Sequence, residues 1–450
     1  MLLFYNTKML SGSVIFMNDT FIELIKEYDL KQFKSEKDIF DRIKQNQIDY
    51  SLNIKQFIFK QRNSKYRKVL VMKNDSLEQI SLKYLKKRLD SSFRISYPNR
   101  QRIMRECFTI TEIINSMSEF TIYKFDFKDF FNSVKSADVF NRYIKYSSLY
   151  RFEKDLLENI TENFKYCSPG LPTSNALVEL ISRDFDIKLK SLLHDYGLIF
   201  YSRYVDDSLI IFNQSVEERK ILDCIEDALN TVFKSSNIKL NKSKRSLIYS
   251  GSPSGTTYNY LGYLFEYQKE KEYKFFKYGI AEDKISKYRK KLIRIISEYK
   301  NDGNMELFRQ RILFWGSRIV FYNTSRNKYS TSFIWDVLGI VHSYGELRNF
   351  LYVNDKIEKI EKETKDFLRN EIIQQVNNII GYCPYFLKTK TLGYVLEDRL
   401  SRNKSIVFHS NIGWSKNYLI KMIKKIEPSF DPSKRSYRNL VTYYCKKLKL

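Results

Sequence analysis

Tyr204-Val205-Asp206-Asp207 sets two adjacent carboxylates between apolar runs, within LIFYSRYVDDSLIIF at 198–212. Carboxylates held that close repel one another unless a cation lies among them. Hard oxygen donors of this kind suit Mg²⁺, which keeps several waters and takes one or two protein carboxylates together with substrate phosphates. An ordinary Asp-Asp hairpin turn would read the same way, since Asp tolerates turn conformations. Upstream, FDFKDFF at 125–131 ends a short strand on Asp126 between aromatic residues. A lone Asp there would be a cap or turn residue. Two carboxylate-bearing strands lying side by side, however, let Asp126 and Asp206 bridge two ions about 4 Å apart, the arrangement in-line phosphoryl transfer needs. One ion would activate a primer 3′-hydroxyl, and the other would hold a triphosphate and its leaving pyrophosphate.

The elements around these residues follow from pattern. KQFIFKQRNSKYRKVLVMK at 55–73 carries two β-prone runs, Phe57 to Phe59 and Val69 to Met72, about a polar turn at Asn63 and Ser64, and reads as a basic hairpin. Residues 121–125 form a strand, and Ala176, Leu177, Leu180, Ile181 and Phe185 have helical spacing within 175–193. Residues 198–212 read as two strands turning at Asp206 and Asp207, and a further strand pair fits 246–265. After about residue 276 the period becomes helical. Ile285, Tyr288, Leu292, Ile295, Ile296 and Tyr299 form one stripe with Lys and Arg opposite, and 305–321 and 356–380 repeat the character. The expectation is a mixed α+β half followed by a helical third.

Composition narrows the class. Among 450 residues, 78 Lys and Arg against 52 Asp and Glu give a formal charge of +26 spread along the chain. Such a field attracts polyanions, nucleic acid above all, although low-GC codon usage would also enrich Lys. The five cysteines form no CxxC pair and the three histidines are scattered, which argues against a zinc site or a disulfide framework. No stretch has eighteen uninterrupted apolar residues, and MLLFYNTKML lacks a signal-peptide pattern. A soluble, cytoplasmic protein without membrane partners is expected.

Taken in order, the motifs resemble those of reverse transcriptases. FDFKDFFNSV resembles the family's first palm motif, SPGLPTSN its second and YVDD its third. LNKSK at 240–244 resembles the fourth, and YLGY at 260–263 the fifth, the primer-grip hairpin. KQRNSKYR at 60–67 is similar to the fingers hairpin whose Lys and Arg grip the incoming triphosphate. Six ordered motifs over about residues 55 to 275 make a specific signature.

The resemblance implies an α+β right-hand polymerase fold. Its parts would be an N-terminal helical segment (1–49), fingers (50–120), a palm (121–275), and an all-helical thumb and accessory region (276–450). Asp126, Asp206 and Asp207 would hold two Mg²⁺, for which Mn²⁺ could substitute, with Asp207 the least direct ligand. Phe131 falls where the family has an aromatic steric gate against a ribose 2′-hydroxyl. Phe127, Gly170 and Pro172 would line the nucleotide site, Lys60 and Arg67 would neutralise phosphate charge, and Lys244 would protonate pyrophosphate. Tyr260, Leu261 and Gly262 would grip the primer, and Lys287, Lys290, Lys291 and Arg294 would face RNA. Expected partners are a non-coding RNA template, a DNA product, deoxynucleotides and further copies of the chain.

Many family members carry Gln-Gly in the second motif, where this chain has Pro169-Gly170. With the helical extension, that difference resembles bacterial abortive-infection and defence-associated members. Retron enzymes are the nearest competitor, but their Asn-Ala-x-x-His and terminal Val-Thr-Gly signatures are not found. A protein-primed or template-independent polymerase and a degenerate RNA-binding scaffold remain as alternatives.

Overall fold

The computed structural model describes residues 36–45, 48–52, 54–60, 66–73, 76–234, 237–270, 273–322, 335–351, 358–388, 395–433 and 435–448. By contact the chain forms two compact units. The first joins the described part of Met1–Asn99 to Glu119–Leu247; the second joins Arg100–Ser118 to the described chain from Ile248 onward. The division at 120 implied by the resemblance and the one near 275 drawn from hydrophobic period differ from these compact units, because motif order and local repeat do not report which distant segments bury one another. Among the described residues no helix is long and apolar enough to cross a membrane, and all five cysteines are free thiols.

In the first unit α1 (Glu36–Lys44) precedes a hairpin of β1 (Ile54–Lys60) and β2 (Tyr66–Met72), in register from Ile54 with Met72 to Lys60 with Tyr66. The expected turn at Asn63 and Ser64 lies outside the described residues, as do most of 1–49. Next come α2 (Leu77–Ser92) and α3 (Arg100–Ile114), the latter a member of the other unit. The strand β3 (Thr121–Lys128) is buried over its first seven residues, as suits the middle of a sheet. Beyond α4 (Arg151–Asn163), Pro172 occupies the first turn of α5 (Pro172–Leu193), where its missing N–H costs nothing. One face of α5, from Ala176 through Leu180 and Phe185 to Leu193, is buried. The chain then forms β4 (Leu198–Tyr204), β5 (Asp207–Phe212), α6 (Glu218–Val232) and β6 (Lys239–Leu240). The sheet order is β4-β5-β3-β6, so β3 and β5 lie side by side at its centre.

Strand β7 (Ser246–Tyr249) leads into the second unit, where β8 (Thr257–Tyr260), β9 (Tyr263–Glu270) and β10 (Tyr273–Ile280) form an antiparallel meander. The helix α7 (Glu282–Asp302) buries Ile285, Leu292, Ile295, Ile296 and Tyr299, the stripe read from sequence. After α8 (Met305–Trp315) the structure departs from an all-helical expectation. Strands β11 (Arg318–Tyr322), β12 (Trp335–Leu338) and β13 (Ser405–Phe408) form a sheet, with α9 (Lys362–Ile380) between the last two in sequence. β11 pairs in parallel with β13 from over eighty residues away, a partnership no local period reveals. Helices α10 (Lys416–Ile426) and α11 (Tyr437–Leu448) bury Leu419, Ile423, Leu440 and Tyr444 in one cluster with Ile319, Ile406 and Phe408 from this sheet.

The second motif is fastened to the hairpin by backbone. Leu70 N donates to the Pro169 carbonyl at 2.9 Å, and a Cβ on Gly170, at φ +101°, would stand 2.2 Å from Leu70 O. Only glycine fits that approach and that φ. Gly170→Ala should therefore cost more than about 1–3 kcal/mol, the scale of a strained backbone. Urea denaturation checks this, and an unchanged midpoint would contradict the packing described.

Candidate active site

Antiparallel pairing sets Asp126 directly opposite Asp207, at the last rung that β3 and β5 share. Just beyond, Phe127 N donates to the Asp206 carbonyl at 3.0 Å. Tyr204 pairs with Asp207, so Val205 and Asp206 form a two-residue turn. Val205 alone of the two has positive φ, +62°, the φ pattern of a type II′ turn, whose first position favours Gly. A β-branched residue there is strained. The restraint comes from Arg203, which is 5% exposed. Its Nη1 donates to the Val205 carbonyl at 3.0 Å. Nε and Nη2 donate to Asp186 at 2.9 Å each, and Nη2 donates to Glu179 at 2.9 Å. Both carboxylates stand on α5, so the helix fixes the turn. The strain, on the order of 1–3 kcal/mol, is held by the Val205 carbonyl bond from a guanidinium that its two carboxylates fix in place.

The carboxylates are balanced by lysines. Lys124 lies two residues before Asp126 on the same strand face, buried, with Nζ 3.1 Å from Asp207 Oδ1. That oxygen is buried and makes no well-aligned hydrogen bond. Burial pushes the Asp207 carboxyl up, Lys124 pulls it down, and Asp126 and Asp206 push it up again. Lys244 Nζ donates to Asp126 Oδ2 at 2.8 Å, and Asn241 Nδ2 donates to Oδ1 at 3.2 Å. Burial draws the Lys244 ammonium down, but the Asp126 hydrogen bond and the three carboxylates hold it above the ordinary lysine value.

Among the described residues no three Asp, Glu, His or Cys side chains close into a metal cage. The three aspartates are instead a mutually repelling set of hard oxygens with two lysines against them. A donor set of that kind fits a hard divalent cation that also takes substrate oxygens.

The other expected residues are distributed as follows. Phe131 is half-buried against the core, edge to face with Phe130 at 6.5 Å. Phe127 was expected to line the nucleotide site, but its ring is 1% exposed and packs on Phe130 and Phe185, and its amide is already bonded to Asp206. The close approach at Gly170 is to β2, and Pro172 starts α5. Lys60 and Arg67 lie on neighbouring rungs of the β1–β2 ladder, through Tyr66 and Phe59, and their side chains lie outside the described residues.

In the second unit, Tyr260 is fully buried, so Leu261 and Gly262 are what the expected primer-grip turn presents. Lys287, Lys290, Lys291 and Arg294 are exposed on α7, where Arg294 pairs with Glu298. Arg289, on the same helix, is turned instead to Glu371 at 2.7 Å. Sequence reading missed Arg203, Lys124 and Asn241. The signal available was a charged residue inside an apolar strand, at i−2 from Asp126 and just before Tyr204.

Residues 38–265 match the family model for reverse transcriptase (RNA-dependent DNA polymerase). A curated relative, the Retron Ec73 reverse transcriptase of Escherichia coli, is 30% identical over 142 residues, 29% of this chain and 44% of the relative. The match thus spans less than half of that relative's length. Among solved structures, telomerase from Candida albicans in complex with a TWJ fragment of telomeric RNA is 12% identical, covering 87% of this chain and 66% of that one, at TM-score 0.39. Apo telomerase from Candida tropicalis is 13% identical, covering 87% and 68%, at TM-score 0.37. Likenesses at these scores carry nothing about activity.

Replacing Arg203 with Met leaves Asp186 and Glu179 without their cation and frees the Val205 carbonyl. The expected loss is about 3–5 kcal/mol of unfolding free energy, read by denaturant titration. A loss below about 1 kcal/mol, the scale of surface ion pairs, would show that the clamp is not structural.

Proposed function

This chain belongs to the reverse transcriptase (RNA-dependent DNA polymerase) family, and we propose that it makes DNA from deoxynucleoside triphosphates on an RNA template by nucleotidyl transfer. The observation that carries the reading is Asp126 standing directly opposite Asp207 beside the Val205-Asp206 turn. Asp126 and Asp206 would hold two Mg²⁺, with Asp207 held back by Lys124. When bound, the ions supply charge neutralisation at the attacking and leaving oxygens.

The chain's own residues do the rest. Arg203 and α5 fix the turn before substrate arrives, so little reorganisation remains for the reaction. Lys244, whose Nζ donates to Asp126 Oδ2 at 2.8 Å, stands beside the carboxylates where a general acid for departing pyrophosphate is needed. Phe131 crowds a ribose 2′-hydroxyl. The β1–β2 hairpin, through Lys60 and Arg67, meets the triphosphate, and Leu261-Gly262 meets the primer. The first unit would then be fingers and palm and the second a thumb with an accessory part. The template is a non-coding RNA and the setting bacterial antiphage defence, a placement supported by the second motif's Pro169-Gly170.

Changing Asp206 and Asp207 together to Ala should abolish deoxynucleotide incorporation while RNA affinity stays near wild type, because binding draws on a widespread basic surface. Filter binding and incorporation in Mg²⁺ measure both; wild-type incorporation by the double variant would remove these residues from the site. Phe131→Val should raise ribonucleotide use relative to deoxynucleotide use by about 1–3 kcal/mol of discrimination. Paired-nucleotide competition reads it, and an unchanged ratio in an active variant would make Phe131 a packing residue only. Neutralising Lys287, Lys290, Lys291 and Arg294 should flatten the salt dependence of RNA affinity by about 0.7–0.9 log units per lost phosphate contact. Equal slopes would leave this face of α7 without RNA.

A further inference from the structure

The turn between β8 and β9 is held from outside its own hairpin. Tyr260 pairs with Tyr263, leaving Leu261 and Gly262 as a two-residue loop. Their φ values are +48° and +86°, the pattern of a type I′ turn, which favours Asn, Asp or Gly first and Gly second. Leucine in the first position is strained. Its carbonyl accepts two bonds from Arg100, from Nη2 at 2.7 Å and Nε at 3.1 Å. The other arm of the guanidinium, Nη1, donates to the Ser343 carbonyl at 2.8 Å.

Arg100 also lies over the rings of Tyr263 and Tyr344, 5.2 and 5.9 Å from their centroids. The next residue, Gln101, donates to the His342 carbonyl at 3.1 Å. The first turn of α3 therefore ties the β8–β9 turn to residues 342–344, all within the second unit. The ion pairs of α3 are made by Arg102, Arg105 and Glu112, with Glu106, Glu346 and Lys359, whereas Arg100 is engaged by neutral carbonyls and aromatic faces.

We propose that Arg100 is a positioning residue for a nucleic-acid strand. It fixes the Leu261-Gly262 backbone against which a sugar-phosphate chain rests, and it acts through that turn, not by touching a phosphate. The inference rests on the reading of this turn as the primer grip. A planar fork is required because three N–H groups reach two carbonyls at once. A lysine ammonium keeps the charge but cannot reproduce that spread.

The test separates geometry from charge. Primer-template affinity is measured by fluorescence anisotropy in EDTA without nucleotide, and KM for primer-template and for deoxynucleotide is measured in Mg²⁺. Arg100→Lys should weaken primer-template affinity about tenfold, the scale of one lost charged hydrogen bond. KM for primer-template should rise by a similar factor while KM for deoxynucleotide stays near wild type. Adding Leu261→Gly should restore most of the loss, because a Gly-Gly loop holds a type I′ turn unaided. Arg102→Ala, on the exposed side of α3, should bind as wild type does.

Wild-type affinity and KM in Arg100→Lys would overturn the proposal. So would a defect that Leu261→Gly leaves in place, which would mean direct phosphate contact. Should the lysine variant fail to fold, Arg100→Gln, with its planar amide donor, takes its place under the same criteria. A wild-type protein that binds primer-template yet incorporates nothing would defeat the polymerase reading and leave the Arg100 test standing.

Discussion

Asp126, Asp206 and Asp207 meet at one end of a largely buried sheet, and the repulsion among them is the constraint that the surrounding structure answers. Residues directly opposite in an antiparallel pair have Cβ atoms about 5 Å apart, where unit charges repel by about 3 kcal/mol at an effective dielectric of 20. Burial is the larger influence on Asp207, whose carboxyl is raised, and the charges of Asp126 and Asp206 add to it. A folded chain would lower its free energy by replacing such a cluster with apolar residues. Its retention makes sense where cations from outside are part of the working state. Until they arrive, Lys124 and Lys244 take their place, one buried beneath Asp207 and the other half-exposed beside Asp126.

A second cost sits in the turn. Val205 adopts a conformation that glycine would take more readily, and the chain tolerates it because Arg203 ties its carbonyl to Glu179 and Asp186 on α5. That helix starts at Pro172, directly after the Pro169-Gly170 backbone that grips β2. One continuous stretch, from the second motif through α5, thus connects the β1–β2 hairpin to the carboxylate turn. The motifs that are separate in sequence are mechanically joined within one unit.

What could be read from sequence was whatever depends on local repeat or ordered motif. The α7 stripe from Ile285 to Tyr299 is buried as its spacing required, and strands form on the β-prone runs of both hairpins. The carboxylate turn, however, is Val205-Asp206 and not the expected Asp206-Asp207. The aspartates were legible because two carboxylates in apolar surroundings demand an explanation. What stayed hidden depends on distant partners. Lys124 looks like any lysine until Asp207 lies diagonally across from it. Arg203 gains its role only when α5 brings Glu179 and Asp186 alongside. Phe127 and Tyr260, expected at the substrate, are drawn into cores because alternate strand residues must face inward, leaving Leu261 and Gly262 at the loop. The β11–β13 pairing, between strands more than eighty residues apart, has no local signature at all.

The most direct test of the account is extension of an oligo(dT) primer on poly(rA) by the wild-type protein, with and without Mg²⁺. Incorporation of dTTP into a product that resists RNase and yields to DNase, absent in EDTA, is the predicted result. A protein that binds this primer-template but yields no DNA with Mg²⁺ or Mn²⁺ would contradict the claim that the carboxylate cluster is a nucleotidyl-transfer centre.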